Sequence, residues 1–214
     1  LYYQWGRKDP FPYPASFTNN ARPASFIYHD GHAYGTIRPE DYDAREVMSV
    51  EWATQHPTTF IHKADYEVDE PEEDVLDWLF RSHHNLWGNT TEQGYDVSKV
   101  CRKTIYDPCP PGWRVPAPAA FEQASFSRTG TSRNNVYYLR SRTGTSVTYP
   151  MGGYFTGHAF RDNGTRVDVW TNAPAQLNGR CLSTSTAFTV SASTINTAAY
   201  QQRDYALPVR CVAE

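Results

Sequence analysis

The chain has 214 residues, 39% hydrophobic and 20% charged, which points to one lean domain spanning residues 1–214. A net charge of −3 excludes the global basic field that drives nucleic-acid binding. No apolar run approaches the roughly 20 residues that a membrane-spanning helix needs, so membrane insertion of this domain is not expected. Aromatic residues are abundant, with 15 Tyr, 10 Phe and 6 Trp, and such rings serve both a packed core and a recognition surface.

The opening Leu1-Tyr2-Tyr3-Gln4-Trp5 reads as a strand met in its middle, without Met or a signal peptide, so a fragment or processed product is expected. Residues 6–36 hold Pro10, Pro12, Pro14 and Pro23, which forbid a helix and predict extended, aromatic loop. A helix is predicted over 43–56, with Val47, Val50, Trp52 and Ala53 as its apolar side and Pro57 as its stop. Thr58–His62 reads as a short strand or loop. The strongest helix signal lies at 71–84: Pro71 opens it, acids fill its first turn, and Val75, Leu76, Trp78, Leu79 and Phe80 supply apolar side chains. A short strand at Cys101–Tyr106 and a short helix at Ala117–Ser125 follow. From Ser127 onward the composition turns to Thr, Ser, Gly and Asn. Strands are predicted at Val136–Arg140, Ser146–Pro150, Tyr154–His158, Arg166–Trp170, Cys181–Ser185, Ala187–Ser191 and Leu207–Val212. Helices and loops first, then mostly strands, make an α+β domain.

Four cysteines allow two disulfides in three connectivities, or four buried thiols. A zinc site fits poorly: Cys101 and Cys109 are too far apart for a knuckle, and Cys181 and Cys211 have no close Cys or His partner in sequence. Cys109 lies between prolines with no basic neighbour before Arg114, so a catalytic thiolate is not indicated. Trp113, inside the same proline cluster, is expected in the core. His83 and His84 with Asp77 lack a third ligand. The acids Asp69, Glu70, Glu72, Glu73, Asp74 and Asp77 lack the spacing of a calcium loop and suit a helix N-terminus instead. No nucleophile elbow, phosphate loop or dinucleotide fingerprint occurs, so no enzyme is expected and no cofactor is called for. Asn163-Gly164 marks a tight turn, beyond which Trp170 is either a core residue or a stacking platform for a ligand.

The run Lys103-Thr104-Ile105-Tyr106-Asp107-Pro108-Cys109-Pro110-Pro111-Gly112-Trp113-Arg114-Val115-Pro116 closely resembles the CPxGWRxP signature of the Fibrobacter-type major paralogous domain. Val209-Arg210-Cys211-Val212 matches that family's closing VRCV, and Leu1–Phe11 looks like the start of its Bacteroides versions. The resemblance implies a C-type-lectin-like fold: small antiparallel sheets, two or three flanking helices, long loops, and a first strand paired near the last. It also implies an exported, outer-surface protein of Bacteroidetes type, whose C-terminal domain binds a host or bacterial glycan or protein, or other fimbrial subunits. A structural fimbrial module is an alternative, as is a Cys-dependent enzyme on the related formylglycine-generating fold. Where family members carry Tyr-Trp-Ser-Ser, this chain has Cys181-Leu182-Ser183-Thr184. The resemblance therefore implies the pairs Cys109–Cys211 and Cys101–Cys181, the former closing a loop of about 100 residues, worth roughly 4.7 kcal/mol as chain entropy. Trp170 and Asn172 loosely resemble the Trp-Asn-Asp run of calcium-dependent lectins. Ala173 stands third, however, and the completing tripeptide is absent, so the motif does not support calcium. The ligand-binding residues expected on the loops are Tyr154, His158, Asp168, Trp170 and Asn172.

Overall fold

The computed structural model describes residues 1–11, 43–57, 59–62, 76–88, 102–128, 135–157, 159–178 and 180–214. They form an α+β arrangement of small antiparallel sheets and three short helices. Strand β1 (Tyr2–Gln4) pairs with β11 (Ala206–Pro208), in the register Tyr2 to Pro208 and Gln4 to Ala206. The first strand thus lies beside one of the last, as expected. β6 (Tyr154–Phe155) and β7 (Phe160–Arg161) complete that sheet, in the order β1-β11-β6-β7. Around it Tyr2, Phe11, Phe60, Phe155 and Phe160 close an aromatic cluster with Ala206.

A second sheet has the strand order β10 (Ile195–Gln202), β9 (Arg180–Val190), β8 (Val167–Leu177) and separates two larger cores. Successive strand residues face opposite sides of a sheet. On β8 (Val167–Leu177), Val167 and Val169 join Phe188 and Val190 of β9 (Arg180–Val190) in one core, and Phe121 of α3 (Pro118–Ala124) stacks on Phe188 at 4.3 Å between centroids. Trp170 faces the other side, into a core with Trp5, Trp78, Trp87 and Leu207. Its cross-strand neighbour is Ala187, small enough to leave room for an indole. Because both faces of β8 are covered, Val167–Ala175 is buried without a break.

Helix 43–56 is interrupted. α1 (Ala44–Val47) and α2 (Val50–Gln55) flank Met48-Ser49. Ser49 is extended and its Oγ accepts from Trp52 N at 3.1 Å, so it starts a new helix, while Met48 O accepts from Phe80 N at 2.9 Å. The short helix at 117–125 is α3, ended by Ser125 in the left-handed region. Val136–Arg140 and Ser146–Pro150 are strands β4 and β5 with the expected bounds, and Ser127–Arg128 (β3) joins their sheet.

Other expectations are corrected. Residues 76–84 are not helical, although 71–75 lie outside the described residues. Their polar groups are claimed from elsewhere: Leu76 O accepts from Arg203 N at 2.7 Å, and Trp78 Nε1 donates to Trp5 O at 2.7 Å. Asp77 is buried against Arg203, at 2.9 Å. Trp78, Leu79 and Phe80 are all buried, which a helix with one buried face does not do. Residues 102–106 form a turn, not a strand, with Asp107 N donating to Thr104 O. The two strands expected at Cys181–Ser185 and Ala187–Ser191 are one, β9, and Tyr154–His158 shortens to β6. Strand β10 (Ile195–Gln202) escapes the sequence pattern because its Ala, Asn and Gln residues carry little strand preference; pairing with β9 imposes it.

Candidate functional site

The signature loop is built from three independent ties. Cys109 and Cys211 form a disulfide with Cα atoms 5.8 Å apart. The two-residue strands β2 (Trp113–Arg114) and β12 (Val212–Ala213) pair beside it, Ala213 opposite Trp113, and Glu214 N donates to Gly112 O at 3.1 Å. Underneath, Asp107 accepts from Cys109 N at 2.8 Å and from Val115 N at 3.0 Å. Lys103 Nζ donates to the carbonyls of Cys109, Pro110 and Trp113, and lies 3.8 Å from Asp107 Oδ1. Burial pushes the Asp107 carboxyl up, opposed by its two amide donors and the Lys103 charge. The result is a stiff tip, Pro110–Trp113.

Every residue of that tip is exposed, and Trp113 is 47% exposed, not in the core as expected. The reason is local. Trp113 N donates to Pro110 O, and Gly112 at φ +77° turns the chain there, so the indole sits on a turn, and turns lie at surfaces. The proline-glycine turn in the sequence carried that signal; the indole's hydrophobicity masked it.

The expected ligand residues divide. Trp170 is fully buried and its Nε1 donates to Tyr3 O at 2.7 Å, so the core alternative is the one realised. Thr171 O accepts from Trp5 Nε1 at 2.9 Å, and Asn172, 1% exposed, donates its backbone N–H to Pro116 O at 2.9 Å. The Trp170-Thr171-Asn172 run that resembled a lectin motif is therefore a fastener. It holds β1 and the signature loop to the sheet through a stretch where the β8 register shifts.

Tyr154 and Asp168 come together around Arg166. The Arg166 guanidinium lies 5.4 Å from the Tyr154 ring centroid and 2.6 Å from Asp168 Oδ1, and Tyr154 stacks on Tyr205 at 5.5 Å. Tyr154 and Tyr205 are half-buried. Asp168 is buried, and desolvation pushes its carboxyl up to about 6 against the pull of Arg166. Its Oδ2 has no hydrogen-bond partner among the described residues. His158 lies outside the described residues.

Among the described residues no group of three or more His, Cys, Asp or Glu side chains could hold a metal. Asp77 is instead the partner of Arg203, which also reaches His84 Nδ1 at 2.9 Å. The pair expected between Cys101 and Cys181 involves Cys101, outside the described residues. No helix of the described residues is long and apolar enough to cross a membrane. Comparison of the chain with protein-family models, with curated proteins and with solved structures found no match in any of the three.

Proposed function

We propose that this chain is a non-catalytic binding module of an exported bacterial surface protein, related to the Fibrobacter-type major paralogous domain and built on a C-type-lectin-like frame. The disulfide joining the two signature segments and the pairing of β1 with β11 support that frame. A disulfide also fits an oxidising, extracellular compartment.

The observation that carries the binding reading is Trp113. An indole left half in water on a tip held by a disulfide, a strand pair and a lysine clamp is a pre-organised anchor, because ordering it on binding costs little further entropy. The partner is a glycan or protein of a cell surface, which stacks on the indole face. Trp113→Ala should leave the melting temperature nearly unchanged and lower binding to intact bacterial or mucosal cells about 30-fold, the size of a hot-spot loss. Equal binding by the variant and the parent would remove Trp113 from the function.

A structural fimbrial module that exchanges its first strand between subunits draws less support. β1 is already paired inside its own sheet, and Tyr2 also pairs with Phe11. A Cys-dependent enzyme would have to do without Cys109 and Cys211, which are bonded to each other.

A further inference from the structure

A cleft of about 500 Å³ opens between β1, the end of β5 and the link from β11 to β12. Its size falls within the range of small-molecule sites. Tyr2, Tyr149, Pro150, Val169 and Pro208 make most of its wall, and no lining residue is acidic. The one charged side chain in the lining is Arg210.

Arg210 is exposed yet held in place. Its guanidinium stacks on the Tyr149 ring, 4.4 Å from the centroid, and Nη1 donates to Thr148 O at 2.5 Å. Its Nε and Nη2 make no hydrogen bond among the described residues. Tyr149 also lines the cleft; its ring is packed against Phe188 and Phe126, and its hydroxyl has no hydrogen-bond partner among the described residues. An apolar cleft that presents a fixed guanidinium fork and a phenol donor matches an apolar body ending in a carboxylate, since planar guanidinium N–H groups pair with carboxylate oxygens. We propose that this cleft binds small apolar monocarboxylates, with the chain or ring against Val169 and Pro208 and the carboxylate on Arg210 and Tyr149. The site is separate from the Trp113 tip and does not depend on it.

Decanoate and 1-decanol share a body and differ in the head group. Decanoate can be titrated below micelle formation, and decanol below its solubility limit, into the intact chain, with tyrosine fluorescence and ¹H–¹⁵N shifts as readouts. Decanoate should bind at least tenfold more tightly than decanol and shift the Val169 and Val209 amides. Arg210→Gln, a change at an exposed side chain, should weaken decanoate at least tenfold and leave decanol unchanged. Tyr149→Phe, which keeps the ring, should weaken decanoate several-fold. Absence of decanoate binding at millimolar concentration, equal affinity for the two compounds, or decanoate binding that ignores Arg210→Gln would each overturn the proposal.

Discussion

The β4–β5 hairpin and the segment 76–88 show two ways of satisfying a backbone. The hairpin closes on itself: Val136–Arg140 pairs residue for residue with Ser146–Pro150, and Ser141 N donates to Thr145 O across the turn, where Gly144 takes φ +87°. Segment 76–88 closes through distant partners. Leu76 meets Arg203, Trp78 meets Trp5, Phe80 meets Met48, and Trp87 Nε1 donates to Tyr106 O at 3.1 Å. Both are well packed. The first conformation can be read from neighbours in the chain; the second depends on partners outside the segment, as far off as Arg203, 126 positions from Asp77.

The sharpest way to break that contrast is to remove the charge that holds the segment. Arg203 is fully buried between Asp77, Ser185 Oγ and Leu182 O, with Trp5 beneath it at 4.4 Å. Asp77→Ala strands the guanidinium and is expected to lower the unfolding free energy by about 3–5 kcal/mol in urea melts. A loss near zero would mean that apolar packing alone fixes residues 76–88.

Next in size is the disulfide. Replacing Cys109 and Cys211 by Ser should cost about 2–5 kcal/mol, since the bridge spans 102 positions. Hydrogen exchange sharpens the comparison here. Amides of residues 2–11 and 76–88 should lose protection first, while the β4–β5 ladder keeps its own. Uniform loss across both regions would erase the distinction.

The smallest effect concerns Asp168, in the sheet between the two cores. Its carboxyl, raised from 3.8 to about 6, binds a proton more tightly folded than unfolded. Its contribution to stability is therefore complete below about pH 4 and is lost as pH rises through 6. Between pH 4.5 and 7.5 that is about 2 kcal/mol. Asp168→Asn should remove this share of the slope in urea melts at the two pH values. His62, which burial pushes down to about 4, acts in the opposite sense, losing stability as pH falls from 6.5 toward 4, and does so equally in parent and variant. An unchanged slope would show that Asp168 is ionised at no cost, with Arg166 offsetting its burial fully.

What could be read from the sequence follows the same division. Strands β4 and β5 come from strand-like composition and helix α3 from its place just after Pro116, all of them short-range signals. The acidic and apolar pattern at 71–84 is equally strong but is overridden where it can be seen, because Asp77 and Trp78 have better partners across the core than along a helix. For the site, the residue types expected to bind at 154–172 are ones that suit recognition, yet of the described ones Asp168, Trp170 and Asn172 are buried and Tyr154 alone stays half-exposed. Trp170 went to the core because Ala187 opposite it leaves space and Tyr3 O accepts its N–H. Nothing within ten residues of Trp170 in sequence records either fact. Trp113 departs in the other direction: its large apolar area points to the core, but the turn that carries it keeps it at the surface.

The sequence by itself determined the α+β class, the strands Val136–Arg140 and Ser146–Pro150, the short helix after Pro116 and the two cysteine segments, because each rests on local backbone preference or on a motif a few residues long. The tertiary structure alone decided which tryptophan is buried, which is exposed, and that Arg210 and Tyr149 share one cleft. Burial and charge pairing are set by whichever side chain arrives from across the fold, and no local pattern encodes that neighbour.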